Sequence, residues 1–258
     1  MRGPRRVSGN TRTVLITGGA RRIGAHLARA FGSEGWHVAI HFGNSRKEAE
    51  ALADELPSAE TVSCDLDDWE AGPAMVRELA ERRADWRLLV NCAAVFEYDD
   101  ATGLQPDTFE AAMQVNAGTP ARMAQAFFAH ARTPSGRRLI QVTDQKLRNP
   151  NPDFFSYTMS KHALAATIPM LSMARSRPQD RVYGLAPGAI LASHDQTEDE
   201  TEISHRMNLL RRKTSPDDIV RTALFLAEGP LASGETVYVD SGQHLVPQPR
   251  DVLFLART

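Results

Sequence analysis

The stretch Thr13-Val14-Leu15-Ile16-Thr17-Gly18-Gly19-Ala20-Arg21-Arg22-Ile23-Gly24 runs from a short apolar segment through a glycine-rich turn into the alanine-rich pattern Ala25 to Phe31. It reads as a buried strand, a tight turn and a helix. Glycines at 18, 19 and 24 allow sharp turning and close backbone approach, and the helix start offers N–H groups and the positive end of a dipole. Such a turn suits the pyrophosphate of a dinucleotide. The spacing departs from G-x-G-x-x-G because Arg22 stands where glycine more often falls. Without a ligand, the same residues also make an ordinary structural strand-to-helix turn.

Outward from this unit the pattern repeats. Trp36 to His41 predicts a strand, Ser45 to Leu56 a helix, Glu60 to Ser63 a strand and Asp67 to Arg83 a helix. Arg87 to Asn91 and Arg137 to Thr143 read as strands on either side of one long helix, Pro106 to Ala131. A helix over Phe154 to Ala174, a strand over Arg181 to Ala186, a helix opened by Pro216 and a strand over Thr236 to Val239 complete the series. Strands separated by helices imply right-handed crossovers. The expected fold is α/β, a single doubly wound Rossmann-type domain with a parallel sheet of about seven strands and helices on both faces. This domain would occupy residues 13–258, behind a basic tail over 1–12 that carries Arg2, Arg5 and Arg6. The irregular stretch 188–214 holds Asp195, Glu198, Asp199, Glu200 and Glu202 ahead of Arg211, Arg212 and Lys213. It leaves the C-terminal end of a strand, where open α/β sheets bind ligands, and reads as a substrate lid or as a solvated excursion.

A chain of 258 residues with 42% hydrophobic content can bury a sizeable core as one domain. A net charge of −2 gives no global basic field for nucleic acid or an anionic membrane. No apolar run is long enough to span a bilayer, and a cytoplasmic location is expected. Cys64 and Cys92 read as reduced thiols at strand ends, and the 8 histidines form no metal-ligand spacing. Trp36, Trp69 and Trp86 fall near element ends and read as core or surface anchors.

Tyr157 and Lys161 are spaced to share one helix face, so a lysine ammonium beside the phenol should lower its pKa from about 10. They could equally be two surface polar residues. Cofactor choice depends on the end of the second strand, where a carboxylate would grip a ribose 2′-hydroxyl. The segment His41-Phe42-Gly43-Asn44-Ser45-Arg46-Lys47 has none, and Arg21 lies in the glycine turn. A 2′-phosphate, and so NADPH, is favoured. Asp65-Leu66 after the third strand suits an adenine amine.

Taken together, Thr17-Gly18 through Gly24, Asn91-Cys92-Ala93-Ala94, Asn116, Tyr157 with Lys161, Pro187-Gly188 and Val239-Asp240-Ser241-Gly242 resemble the short-chain dehydrogenase/reductase family in order across nearly the whole chain. Arg22, Phe96 and Asp144, the last where that family usually has serine, are similar to the pteridine reductase and dihydromonapterin reductase branch. One departure is Asn44 beside Ser45, where the branch tends to place an arginine, with Arg46 displaced. The resemblance implies that Tyr157 donates a proton, that Lys161 tunes it and holds the nicotinamide ribose, and that Asn116 anchors the backbone or a water. It implies cofactor contacts at Gly18, Arg21, Arg22, Ile23, His41, Phe42, Asn44, Ser45, Arg46, Asp65, Leu66, Asn91, Ala93, Lys161, Pro187 and Gly188. Substrate would meet Arg22, Phe96, Asp144 and Tyr157. It further implies a homo-tetramer built on the two long helices and the C-terminal segment, where Leu253, Phe254 and Leu255 would otherwise be exposed.

Asp144 bears on the substrate. An ionised carboxylate is acceptor-only and repels an oxygen gaining negative charge, which suits a ketone poorly. A C=N bond flanked by N–H donors suits it better, and reduced pterins and folates offer one. The expected activity is NADPH-dependent reduction of such a bond. Asp144 as a loop cap and Phe96 as plain packing stay open, as do a general carbonyl reductase acting on 3-oxoacyl or sugar-type substrates and a catalytically idle NADPH-sensing protein.

Overall fold

The computed structural model describes residues 11–174, 177–193 and 196–257. Residues 1–10 with Arg2, Arg5 and Arg6, and Asp195 of the acidic run, lie outside them. Seven strands form one parallel sheet: β1 Thr13–Ile16, β2 His37–Phe42, β3 Ala59–Ser63, β4 Trp86–Asn91, β5 Arg138–Val142, β6 Arg181–Pro187 and β7 Thr236–Val239. Their spatial order is β3-β2-β1-β4-β5-β6-β7, so the chain crosses from one edge to the middle between β3 and β4. That reversal puts a crevice at the C-terminal ends of β1 and β4.

Side chains of a strand alternate between faces, and β1 shows the consequence. Val14 and Ile16 pack with Leu27 and Phe31 of α1 (Arg22–Ser33). Leu15 faces the opposite layer with Leu79 of α3 (Ala71–Arg82), Trp86 and Phe127. Helix α2 (Arg46–Glu55) joins the first layer. Burial of each large apolar side chain is worth about 1.5–3 kcal/mol, so both layers hold the sheet. Trp36 and Trp86 are core residues, whereas Trp69 is exposed beneath the Arg122 guanidinium.

Several elements differ from the sequence expectation. The helix expected from Asp67 begins at Ala71, because the Asp65 and Asp68 side chains accept the N–H groups of Asp67 and Glu70 and hold a turn instead. The long helix from Pro106 is interrupted: α4 (Pro106–Met113) and α5 (Thr119–His130) flank a π-helical segment, Gln114–Gly118. The 188–214 stretch contains a helix, α7 (Glu198–Ser204), started by a capping box between Thr197 and Glu200. Glu198, Asp199 and Glu200 fill its first turn, where negative charge meets the helix dipole favourably. Helix α6 (Phe155–Ala174) and α8 (Pro216–Glu228) match their expected positions closely. The C-terminal apolar run is largely covered within the chain itself. It forms α9 (Val252–Leu255), in which Leu253 is buried and Phe254 packs against Tyr98 and Phe154 of the same chain. Among the described residues no helix is long and apolar enough to cross a membrane, and no cluster of side chains could hold a metal ion.

Candidate active site

The glycine turn after β1 is shaped by close approach. Gly18 has φ +61°, and a Cβ there would lie 3.0 Å from Ala93 Cα; a Cβ on Gly24 would lie 2.2 Å from the Gly18 carbonyl oxygen. Neither position tolerates a side chain without movement. The Thr17 hydroxyl accepts the N–H groups of Cys92 and Ala93 (2.9 and 3.0 Å), which ties the end of β4 to the turn. His41 secures the turn from below. Its Nδ1 accepts the Gly18 N–H at 3.2 Å, so the ring proton lies on Nε2, 3.2 Å from the Cys64 carbonyl that accepts it. Burial pushes His41 down to about 4. It is therefore neutral and adds no positive charge to the end of β2.

Arg22 begins α1 at φ +52°, a left-handed conformation that suits glycine and strains other residues by roughly 1–2 kcal/mol. Its guanidinium donates to the Ala192 and Leu191 carbonyls at 3.0 and 3.4 Å, fastening the glycine turn to the segment after β6. Arg21 caps α1 with no side-chain bond, and its own guanidinium lies 3.7 Å from Glu48. Arg46 is exposed over the Phe42 ring and paired with Glu50 at 3.4 Å. Asn44 is exposed, Ser45 and Phe42 are buried, and Ile23 packs on the core. A glycine cradle without side chains, with Arg21 and Arg46 at its open end, fits a dinucleotide bearing an extra phosphate.

Across the crevice, Asp144 follows β5. One carboxylate oxygen accepts the Lys146 N–H at 2.9 Å and the other accepts the Tyr157 hydroxyl at 2.8 Å. One side chain thus both caps the loop and holds the phenol. Lys161, one turn along α6, donates to the Val142 carbonyl at 2.8 Å and sits 5.5 Å from the Tyr157 ring. Asn116 lies in the π-helical segment. Its amide oxygen accepts the Val95 N–H at 2.8 Å, while its nitrogen donates to the Val95 carbonyl and to Ser160 Oγ, each at 3.0 Å.

The electrostatics differ from the sequence expectation. Burial, then the adjacent Asp144 carboxylate, holds the Tyr157 phenol well above its ordinary pKa rather than below it. Burial also lowers Lys161, against the opposing pull of Asp144. Asp144 is raised by burial, offset in part by the Lys146 N–H, the Lys146 charge and the Tyr157 hydroxyl. Lys161 spends a hydrogen bond on Val142, and the buried tyrosine beside Asp144 keeps its proton at neutral pH. Burial raises Cys64 and Cys92 to about 11, and both are free thiols.

The remaining predicted positions gather around these groups. Asn91 bridges Gln141 (2.9 Å) and Pro120 (3.2 Å), and its amide oxygen is buried without a partner. Asp65 is exposed at the end of β3 and Leu66 is buried, its carbonyl accepting the Thr119 hydroxyl at 2.8 Å. Pro187 ends β6, and a Cβ on Gly188 would lie 2.6 Å from Gln243 Oε1. Phe96 is 39% exposed, meets Tyr157 edge-on at 4.6 Å and stacks on Phe154 at 4.0 Å. Sequence reasoning missed Phe154, which has φ +53°, and Asp99, which accepts the Ser156 N–H at 2.9 Å and the Ser156 hydroxyl, fixing the start of α6. Their signals were slight: an aromatic pair before a helix, and one of two aspartates in an exposed-looking loop.

A family profile described as enoyl-(acyl carrier protein) reductase matches residues 18–244. The chain belongs to the short-chain dehydrogenase/reductase family. It is an oxidoreductase of that type. FolM alternative dihydrofolate reductase 1 from Brucella canis, complexed with NADP, is 32% identical, covers 93% of this chain and 96% of its own, and superposes with a TM-score of 0.86. The angucycline C-6 ketoreductase LanV, with bound NADP, is 26% identical, with 92% and 98% covered and a TM-score of 0.82. In sequence, galactitol 2-dehydrogenase from Agrobacterium fabrum is 27% identical over 90% of this chain and 97% of its own. Relatives of this short-chain chain thus include enzymes for folate, sugar and polyketide substrates.

Proposed function

We propose that this short-chain reductase uses NADPH to reduce a C=N bond of a pterin or folate, of the dihydropterin or dihydrofolate type. One observation carries the reading: a carboxylate, Asp144, bonded to the Tyr157 hydroxyl at 2.8 Å. The likeness to FolM alternative dihydrofolate reductase 1 supports it. NADP in the solved neighbours and the Arg21–Arg46 end of the cradle support the cofactor. Gly18, Arg21, Arg22 and Ile23 would hold the pyrophosphate, with Arg21, Asn44, Ser45 and Arg46 toward the 2′-phosphate. Asp65 and Leu66 would meet the adenine, and Asn91, Ala93, Lys161, Pro187 and Gly188 the nicotinamide end. Bound there, NADPH supplies a hydride.

The chain's own residues manage the proton. Tyr157 Oη holds it at neutral pH and delivers it to the substrate nitrogen, while Asp144 accepts from the substrate's N–H donors. Loss of the phenolic proton beside an ionised carboxylate is unfavourable, and a proton taken from water by Asp144, itself raised, would restore the charge of the pair once Tyr157 has given its own to the substrate. The Lys161 ammonium, 5.5 Å from the centre of the Tyr157 ring, stabilises the transient phenolate. Phe96 offers a ring face near Tyr157 for a planar heterocycle. Arg22 has five donors and uses two groups on carbonyls, leaving others for a pterin or a phosphate.

Dehydrogenase and ketoreductase relatives favour a second reading, a general carbonyl reductase. NADPH oxidation by the purified protein separates them: turnover with dihydropterins or dihydrofolate, and weak turnover with simple ketones, is expected. Activity confined to ketones would reject the pterin reading. The proposed assembly is a homo-tetramer. Its support is the family resemblance and an open groove along α4, the π-helical segment, α5 and α6, lined by Trp69, Phe109, Met113, Ala121 and Ala163 among others.

A further inference from the structure

We infer that the C-terminal segment Arg250–Asp251 is a positioning clasp for the Asp144–Tyr157 pair, acting through the side chain of Lys146. The inference rests on the proton role proposed for those two residues. Lys146 is the second residue after Asp144, and its N–H donates to the Asp144 carboxylate at 2.9 Å. Its side chain is only 4% exposed. The ammonium donates to Asn151 Oδ1 at 2.9 Å and pairs with Asp251 Oδ2 at 2.7 Å. A buried lysine of this kind is stable only while its partners are held in place.

Asp251 is held. Its N–H donates to Asp153 at 2.7 Å, and Arg250 Nε donates to both oxygens of the same carboxylate at 3.0 and 2.8 Å. Its other carboxylate oxygen accepts the Leu253 N–H at 3.0 Å, capping α9. A parallel tie runs from Asn149, whose amide donates to the Val246 and Gln243 carbonyls at 2.8 and 3.2 Å. The short turn that carries Asp144 is therefore gripped from behind by residues from the far end of the chain. Without that grip, only the Lys146 N–H and the Tyr157 hydroxyl orient the carboxylate. Geometry near 1 Å matters for proton transfer, and the side chains of Lys146 and Asp251 bond to each other, to Asn151 and to the Leu253 N–H rather than to Asp144 or Tyr157. They position; they do not catalyse.

Three variants test this in the full-length protein: Lys146→Met, Asp251→Asn and the double variant. Each single change strands a buried charge and should lower Tm. The double variant removes both charges, so its Tm should recover toward the parent while kcat stays at least tenfold down and the Kd for NADPH, by fluorescence titration, stays unchanged. A merely structural pair would regain kcat with Tm. That outcome overturns the clasp. A second readout needs no turnover. With 13Cζ-labelled tyrosine, the Tyr157 resonance, identified by its absence in Tyr157→Phe, should move in the double variant toward its position in Asp144→Ala. A resonance that stays at the parent position overturns the clasp even if no substrate is turned over, and failure of the pterin reading alone leaves this result standing.

Discussion

Replacing Asp144 by serine keeps a hydrogen-bonding group near the Tyr157 hydroxyl but removes a carboxylate that now lies 2.8 Å from it. Dihydropterin turnover should fall about a hundredfold, equivalent to roughly 3 kcal/mol of transition-state stabilisation, while any ketone activity is spared or rises. Asp144→Asn, which keeps the shape without the charge, should show the same loss. Tyr157→Phe should remove most turnover and leave NADPH affinity nearly unchanged. Parent rates in both Asp144 variants, with chemistry rate-limiting, would leave that side chain as a loop cap only. His41 makes a different statement at this scale. Its value falls from an ordinary 6.5 to about 4, so the unfolded chain binds the proton first and stability declines as pH drops through that interval. The full loss is roughly 3 kcal/mol. Most of the interval lies above the range where Glu60, held down to about 2 by His37, Arg83 and Arg82, begins to titrate. Thermal melts of the parent between pH 6.5 and 4.5 should slope downward with acid, and those of His41→Asn should be flatter. Parallel curves would remove the buried neutral ring from the account.

Among the elements, the π-helical segment Gln114–Gly118 turns Asn116 toward Val95 and Ser160, joining the end of β4 to α6. Asn116→Ala gives up these bonds, each worth about 1 kcal/mol net, and strands the Val95 N–H and C=O. A lower Tm and at least a tenfold lower kcat are expected, with Asn116→Asp, which still accepts the Val95 N–H, intermediate. Equal kcat in all three proteins would count against a role for this anchor. The alternation of elements was legible because β1, β4 and β5 are short apolar runs and the first turn carries its glycines in view. The π-helical break left a signal that the reading passed over: Gly118 is a poor helix former, and Pro120 lacks an N–H and crowds the carbonyl four residues before it. The Tyr157, Lys161 and Asp144 triangle was legible as a list, but the direction of the phenol's pKa was not. That direction comes from burial and from the Asp144 carboxylate against the phenol, which only the three-dimensional arrangement decides. Lys146 and Asp251 were invisible for a related reason: a buried ion pair between distant segments leaves no spacing to read.

At the scale of the whole molecule, the open end of the cradle carries Arg21 and Arg46, both well exposed, so cofactor preference should depend on screened charges. NADPH should bind more tightly than NADH at low salt, and the preference should shrink as salt rises and in Arg21→Ala and Arg46→Ala. Equal dissociation constants for the two cofactors at low salt would remove the charge argument. The order of strands has a consequence in time as well. β1 is the first strand made, yet it ends between β2 and β4. Roughly 70 residues separate it from β4, on the order of 4 to 14 s at ordinary elongation rates. Throughout that interval one edge of Thr13–Ile16, entirely buried in the finished protein, has no neighbour. Of the strands that end up paired on both sides, the segment that decides the fold is the one that waits longest, open to a wrong strand, while the chain is being made.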